Sequence, residues 1–243
     1  MDKKFVTTMN KRLFDTYGKD LLVSYVNTNQ KYSIYVYVED DISVYPIINN
    51  VNYVSLYDEE PECKKFVERH KDLPVPSFMF DAVRFCYKVF AQCNASKLGG
   101  KIYYVDADSV FLKSMDEEIL EQIMPDTVCT SMYHRNGLYT ETGFVGFNMN
   151  HSIMNSFINY YRNLYVTDKI FHMKHHTDCH TYDRTRKEMA KDDRYIEKKL
   201  GDGGKGHIMA RCKLIHDYLD HRKGKRKNQK TSPEWNNFEQ GRK

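Results

Sequence analysis

The chain has no C-x-x-C pair among its six cysteines, no long apolar run and little net charge of either sign. Each absence excludes something. Without paired cysteines, and without an apolar leader in the opening MDKKFVTTMN, Cys63, Cys86, Cys93, Cys129, Cys179 and Cys212 read as reduced thiols of an intracellular protein. No stretch approaches the roughly 18 apolar residues that a membrane span requires, so the expected location is the cytoplasm. A formal charge of +4 is too mild to mark a nucleic-acid binder. The glycine-rich loop at 201–206 lacks the G-K-[ST] and the following apolar helix of a P-loop. Residues 172–180, HMKHHTDCH, hold four histidines but match no zinc spacing, and neighbours on one loop cannot all face one metal. That segment is either a polar surface turn or the carrier of an active-site side chain, with Asp178 the candidate.

What is present describes a globular chain. Its 243 residues, 41% hydrophobic and 29% charged, suffice for one domain with a real core. Tyrosine is abundant at 19 copies, which suits sheets and clefts that hold sugars or bases. A strand over 5–10, a helix over 11–29 weakened by Gly18, strands over 32–38 and 51–57 and a helical segment near 64–70 predict a parallel α/β sheet. Beyond Pro74 and Pro76 the spacing predicts a helix over 78–96, with Ala82, Phe85, Val89 and Phe90 on an apolar face. Asp81, Arg84 and Lys88 share another face, either as a solvated salt-bridge row or as charges delivered to the end of the next strand. A helix over 116–124, a strand over 127–133 and a strand over 140–148 follow. Glycines in the latter admit close approach of another molecule or backbone. Helices over 151–165 and 181–200 complete the pattern.

The chain is organised around residues 101–115, KIYYVDADSVFLKSM. The apolar strand Ile102-Tyr103-Tyr104-Val105 runs into Asp106-Ala107-Asp108. In an extended strand, residues two apart face the same side, so both carboxylates aim at one point. They repel unless a cation lies between them. Hard divalent ions such as Mg²⁺ or Mn²⁺ take such oxygens together with substrate phosphates. By itself the tripeptide also describes a solvated strand end closed by turn-forming aspartates. Near the C-terminus, six of the nine residues from 222 to 230 are basic. They form either a solvated tail or a phosphate-binding segment whose glycine lets the backbone come close.

In this order the pieces resemble the GT-A nucleotide-sugar glycosyltransferases. The resemblance implies a single-domain, Rossmann-like mixed α/β sheet flanked by helices over 1–221, with the basic segment 222–243 contributing to the donor site. It implies that Thr7, Thr8 and Met9 of the first strand cradle the nucleotide. Asp106-Ala107-Asp108 would hold Mn²⁺ or Mg²⁺ against the diphosphate, and Arg84 and Lys88 of the preceding helix would meet the donor. The group that includes glycogenin and the lipopolysaccharide galactosyltransferases also carries a late H-x-x-G-x-x-K. The stretch from His221 to Lys227 fits that spacing, making His221 the third metal ligand and placing Gly224 and Lys227 at the diphosphate. His216 competes with His221. Asn228-Gln229 replaces the Pro-Trp that follows in that group, which leaves the stereochemistry open with a lean towards retention.

The implied reaction moves a sugar from a nucleotide sugar, with uridine the expected base, to a hydroxyl. The departing diphosphate needs fixed positive charge, each preorganised group being worth about 2.7–4 kcal/mol in the transition state. The oxocarbenium-like sugar needs a base on the acceptor or a flanking carboxylate, for which Glu141 and Asp178 are the candidates. A saccharide is the first-ranked acceptor. Small enzymes of bacterial viruses that glycosylate hydroxymethylated bases in DNA are also similar, and there the basic segment would touch DNA phosphates. Two readings of other classes compete. A phosphotransferase or nuclease on the same aspartates would need further carboxylates close by and no late motif. A non-catalytic module would bind nucleotide sugars or glycans through its tyrosines.

Overall fold

The computed structural model describes residues 2–135, 137–201, 207–224 and 226. Its strands are β1 (Lys3–Met9), β2 (Ile34–Val38), β3 (Val51–Ser55), β4 (Lys101–Val105), β5 (Ser109–Phe111), β6 (Thr130–Tyr133), β7 (Glu141–Asn148), β8 (Glu197–Leu200) and β9 (Leu219–His221). The helices are α1 (Lys11–Leu13), α2 (Lys19–Asn27), α3 (Leu56–Glu59), α4 (Pro61–His70), α5 (Ala82–Ala95), α6 (Glu117–Ile123), α7 (Ile153–Val166), α8 (Asp178–Met189) and α9 (Ile208–Arg211). Seven strands form one sheet in the order β3-β2-β1-β4-β7-β6-β8, and β5 and β9 form a separate two-stranded ribbon.

Strand alternation builds a core on each face of this sheet. Phe5, Val36 and Tyr103 meet Leu21, Leu22 and Tyr25 of α2 and Ile119, Leu120 and Ile123 of α6. Val6, Tyr37, Ile102, Tyr104 and Phe147 point the other way, against Phe66 of α4, Phe90 of α5, Phe157 and Tyr161 of α7 and Tyr182 of α8. Each such side chain, fully buried, contributes about 1.5–3 kcal/mol. Much of the tyrosine surplus is therefore core: Tyr25, Tyr37, Tyr103, Tyr104, Tyr133, Tyr161, Tyr165 and Tyr182 are fully buried.

The sheet is mixed, as the resemblance implies: β1, β2 and β3 pair parallel, as their strand–helix–strand order predicts, and β7 runs antiparallel to both β4 and β6. Two expectations are corrected. The helix expected over 181–200 ends at Met189, and Glu197–Leu200 is an edge strand parallel to β6. Tyr195 anchors that turn back to the core, stacking on Phe157 and bonding Thr130 through its hydroxyl at 2.7 Å; the charged side chains suit an exposed edge. The helix expected over 11–29 is interrupted by a π-turn at Phe14–Gly18. There a Cβ on Gly18 would meet the Met9 sulfur, so glycine lets the turn pack on the end of β1 without displacing that side chain.

Candidate active site

The C-terminal ends of β1 and β4, the start of β7 and the first turns of α5 and α8 border a cleft of about 1100 Å³. β4 stops at Val105. Asp106 then donates its N–H to the Gly143 carbonyl at 2.8 Å, and Ser109 donates to the Asp106 carbonyl at 3.0 Å. The two aspartates thus converge through a tight turn rather than through the strand pleat that their spacing predicted. The chain leaves as β5, which pairs antiparallel with β9 so that Ser109 lies opposite His221. Arg222 N–H donates to the Asp108 carbonyl at 2.9 Å and fixes the junction.

This pairing carries the His221 Nε2 to 2.9 Å from Asp108 Oδ1 and 3.7 Å from Asp106 Oδ2. The three groups offer ligand atoms within 4.8 Å of one another. A Cβ on residue 143 would lie 2.8 Å from the imidazole Cε1, so only glycine there admits the ring. Burial opposes a charged imidazole, but Asp108 and Asp106 outweigh it and hold His221 above its usual range. Burial lifts the Asp106 carboxyl, only partly offset by Lys88 and His221. Two carboxylates and one imidazole make an oxygen-rich set suited to Mn²⁺ or Mg²⁺, and the buried cluster fits such an ion. His216 lies elsewhere, its Nδ1 at 3.1 Å from the Ala210 carbonyl and its Nε2 at 3.4 Å from Asp217.

Lys88 comes from the charged face of α5, one turn beyond the capped start where Asp81 accepts from Arg84 N–H at 2.9 Å. Its ammonium lies 2.7 Å from Asp106 Oδ1 and 2.8 Å from Asp178 Oδ2. Burial opposes this charge, yet Asp106 and Asp178 hold the lysine well above its ordinary range. Asp178 opens α8, and Thr142 donates its hydroxyl to it at 2.5 Å. Burial alone would raise its carboxyl, but Lys88 and these hydrogen bonds hold it below the usual range.

Glu141 is equally committed. His207 Nε2 is 3.1 Å away, Lys223 Nζ 2.6 Å and Arg135 3.5 Å. These partners overcome burial and keep the carboxyl well below its ordinary range. Glu141, His207 and His221 could also reach one ion, but Lys223 and Arg135 already neutralise the carboxylate.

Of the remaining expected donor residues, Thr8, Met9, Arg84, Ala107 and Gly224 line the cleft. Thr7 does not reach it: its side chain is fully buried within the sheet. Lys227 lies outside the described residues. The sequence reading missed Asn10, Tyr17, Glu39, Tyr139 and Lys223, which also line the cleft. Burial pushes the Glu39 carboxyl up to about 7 against a hydrogen bond from Asn10. Burial, then Asp108 and Asp106, push the Tyr17 phenol up to about 12. Glu39 was visible only as part of the acidic group ending the second strand. The parallel register of Met9 with Val38 is what sets it beside Asn10.

The sequence matches no protein-family model and no curated protein. Among solved structures, the chain is similar to the apo form of mouse xyloside xylosyltransferase 1 at 9% identity and a TM-score of 0.52, covering 83% of this chain and 86% of that one. It also matches the bifunctional glycosyltransferase WbbM (11% identity, TM-score 0.48, covering 82% of this chain and 38% of that one). GlyE of Streptococcus pneumoniae gives 13% identity and a TM-score of 0.48, with 82% and 45% covered. The chain spans less than half the length of these last two. The likeness to the xylosyltransferase shows the fold: a single-domain GT-A type mixed α/β sheet flanked by helices. No helix among the described residues is long and apolar enough to cross a membrane.

Proposed function

We propose that the protein is a metal-dependent glycosyltransferase that moves a sugar from a nucleotide sugar, a uridine diphosphate sugar, to a hydroxyl of a saccharide acceptor. The observation that carries this reading is the convergence of Asp106, Asp108 and His221 in the cleft of a GT-A fold. These three residues would hold Mn²⁺ or Mg²⁺, and the bound ion would supply Lewis-acid neutralisation of the diphosphate leaving group. The neighbour's printed activity, transfer of xylose, is a sugar transfer of the same kind. A phosphotransferase needs no distant histidine, whereas here the β5–β9 ribbon brings His221 onto the aspartates.

The chain's own residues then divide the work. Thr8, Met9, Arg84 and Gly224 bind the donor. Lys88 sets fixed positive charge beside Asp106, where the leaving group departs. Asp178, ionised and held by Lys88 and Thr142, faces the developing oxocarbenium with a fixed negative charge. Glu141 orients Lys223 and His207. Both carboxylates are already paired with cations, so neither is a strong general base, and this favours retention over base-assisted inversion.

Calorimetric titration of uridine diphosphate with and without Mn²⁺, on wild type and Asp108→Ala, tests the reading. Binding that requires the metal and disappears in the variant is expected. Binding indifferent to both would overturn the uridine-donor assignment.

A further inference from the structure

The seven-stranded sheet ends in two edges of opposite character. At β8 the residues Glu197, Lys198 and Lys199 are charged, which blunts that edge against a further strand. At the other edge β3, Val51-Asn52-Tyr53-Val54-Ser55, carries neither charge nor proline, and its register with β2 runs unbroken. Ile34 N–H donates to the Asn50 carbonyl at 3.1 Å. Alternate residues of a parallel strand bond to the same neighbour, so Asn50, Asn52 and Val54 face β2 while Val51, Tyr53 and Ser55 turn their main-chain groups outward. The Val51 N–H is taken by the Ile48 carbonyl at 3.2 Å. The Val51 carbonyl, both main-chain groups of Tyr53 and the Ser55 N–H have no main-chain partner among the described residues. Beside them, the loop into β3 exposes Ile42, Val44 and the whole of Ile47, although Tyr45 is buried in a stack on Tyr53 at 5.1 Å. Open main-chain groups beside uncovered apolar side chains are what a pairing edge requires.

Charge selects what pairs there. Lys31 is exposed at the N-terminal end of the β2–β3 pair, three residues before Ile34, which registers with Val51. Asp58 and Glu59 are exposed on α3, which begins directly at the C-terminal end of β3. None of these three charges enters an ion pair among the described residues. The edge is therefore basic at one end, acidic at the other and neutral between. A second copy laid antiparallel sets each basic end against an acidic one, whereas a parallel copy sets like against like.

We propose that β3 is a dimer interface, at which two copies of this chain pair through antiparallel β3 strands on a two-fold axis at Tyr53. The two Tyr53 residues then exchange both N–H···O bonds, and each Ser55 N–H meets the carbonyl of the partner's Val51. The two sheets become one continuous sheet, and the pairing stands whatever reaction the cleft performs.

Sedimentation equilibrium of the full chain over a concentration series tests this on wild type, Asn52→Lys, Lys31→Glu and a charge swap. The swap combines Lys31→Glu with Asp58→Lys and Glu59→Lys, and circular dichroism controls for folding in every variant. Asn52 is exposed, so a lysine fits the single chain but sets two like charges on one diagonal across the axis. Wild type should be dimeric by about 100 μM chain. Asn52→Lys should weaken association roughly tenfold or more, and Lys31→Glu about three- to tenfold. The swap should return it to within about twofold of wild type. A wild type that stays monomeric at that concentration overturns the proposal and leaves the edge to a strand of another protein. So does a dimer that Asn52→Lys leaves equally tight, or one that the swap leaves as weak as Lys31→Glu.

Discussion

The Lys88 ammonium lies 2.8 Å from Oδ2 of Asp178, tying α5 to the first turn of α8 inside the cleft. The same ammonium reaches Asp106 at 2.7 Å, so one buried cation serves a carboxylate of the candidate metal cluster and a candidate catalytic carboxylate. Removing it leaves two buried anions without their partner. Lys88→Ala should lower stability by about 3 kcal/mol and turnover by about 10²–10³-fold. Urea unfolding and a transfer assay measure the two effects. Wild-type values of both would show that the ion pair is incidental.

The ribbon of β5 and β9 selects between two histidines. His221→Ala should weaken Mn²⁺ binding by at least about tenfold, while His216→Ala should leave it within about twofold. Metal titration of the two variants decides this. The reverse ranking would remove His221 from the ligand set.

Gly143→Ala tests the same geometry without touching a ligand. The added methyl must displace the His221 ring, since it would lie 2.8 Å from Cε1. Metal affinity should fall while the secondary structure seen by circular dichroism is kept. Chelation of wild type with EDTA should likewise abolish transfer without unfolding the chain. Full activity after exhaustive chelation would count against the metal site.

Glu39 sets a pH dependence of stability. Its carboxyl titrates at about 7 in the folded chain against an ordinary value of 4.5, chiefly through burial. The folded state therefore binds the proton more tightly than the unfolded one. The stabilisation is complete below the unfolded value and is lost as pH rises through about 7. At about 1.36 kcal/mol per unit, stability should fall by roughly 2 kcal/mol between about pH 5.5 and 8. Glu39→Gln should flatten that part of the profile. Urea midpoints with the same pH slope in wild type and variant would show that another group is responsible.

Much of this protein was legible in one dimension. Local patterns carry strand and helix identity, because burial repeats every two residues in a strand and every three or four in a helix. The apolar run ending in Asp106-Ala107-Asp108, the charged face with Arg84 and Lys88 and the late His221 spacing therefore marked the cleft before any contact was known. Thr7 was misplaced because the cleft opens at the C-terminal end of β1, where Thr8 and Met9 line it, and Thr7 lies deeper in the sheet, a depth that strand spacing does not show. The edge strand Glu197–Leu200 was read as helix because its charges carry no period; its pairing with β6 is what makes it a strand.

Tertiary structure decided everything that depends on distance through space. Asp178 meets Lys88 only because α5 and α8 pack on one face of the sheet, and Glu39 meets Asn10 only through the parallel register of β1 and β2. His221, not His216, lies at the aspartates because an antiparallel pair sets it opposite Ser109, directly after them. The sequence alone determined which chemical groups the chain possesses and which secondary structure carries them. Which groups share a charge, a proton or a metal was set by packing, because electrostatic and coordination energies depend on separations that chain order does not encode.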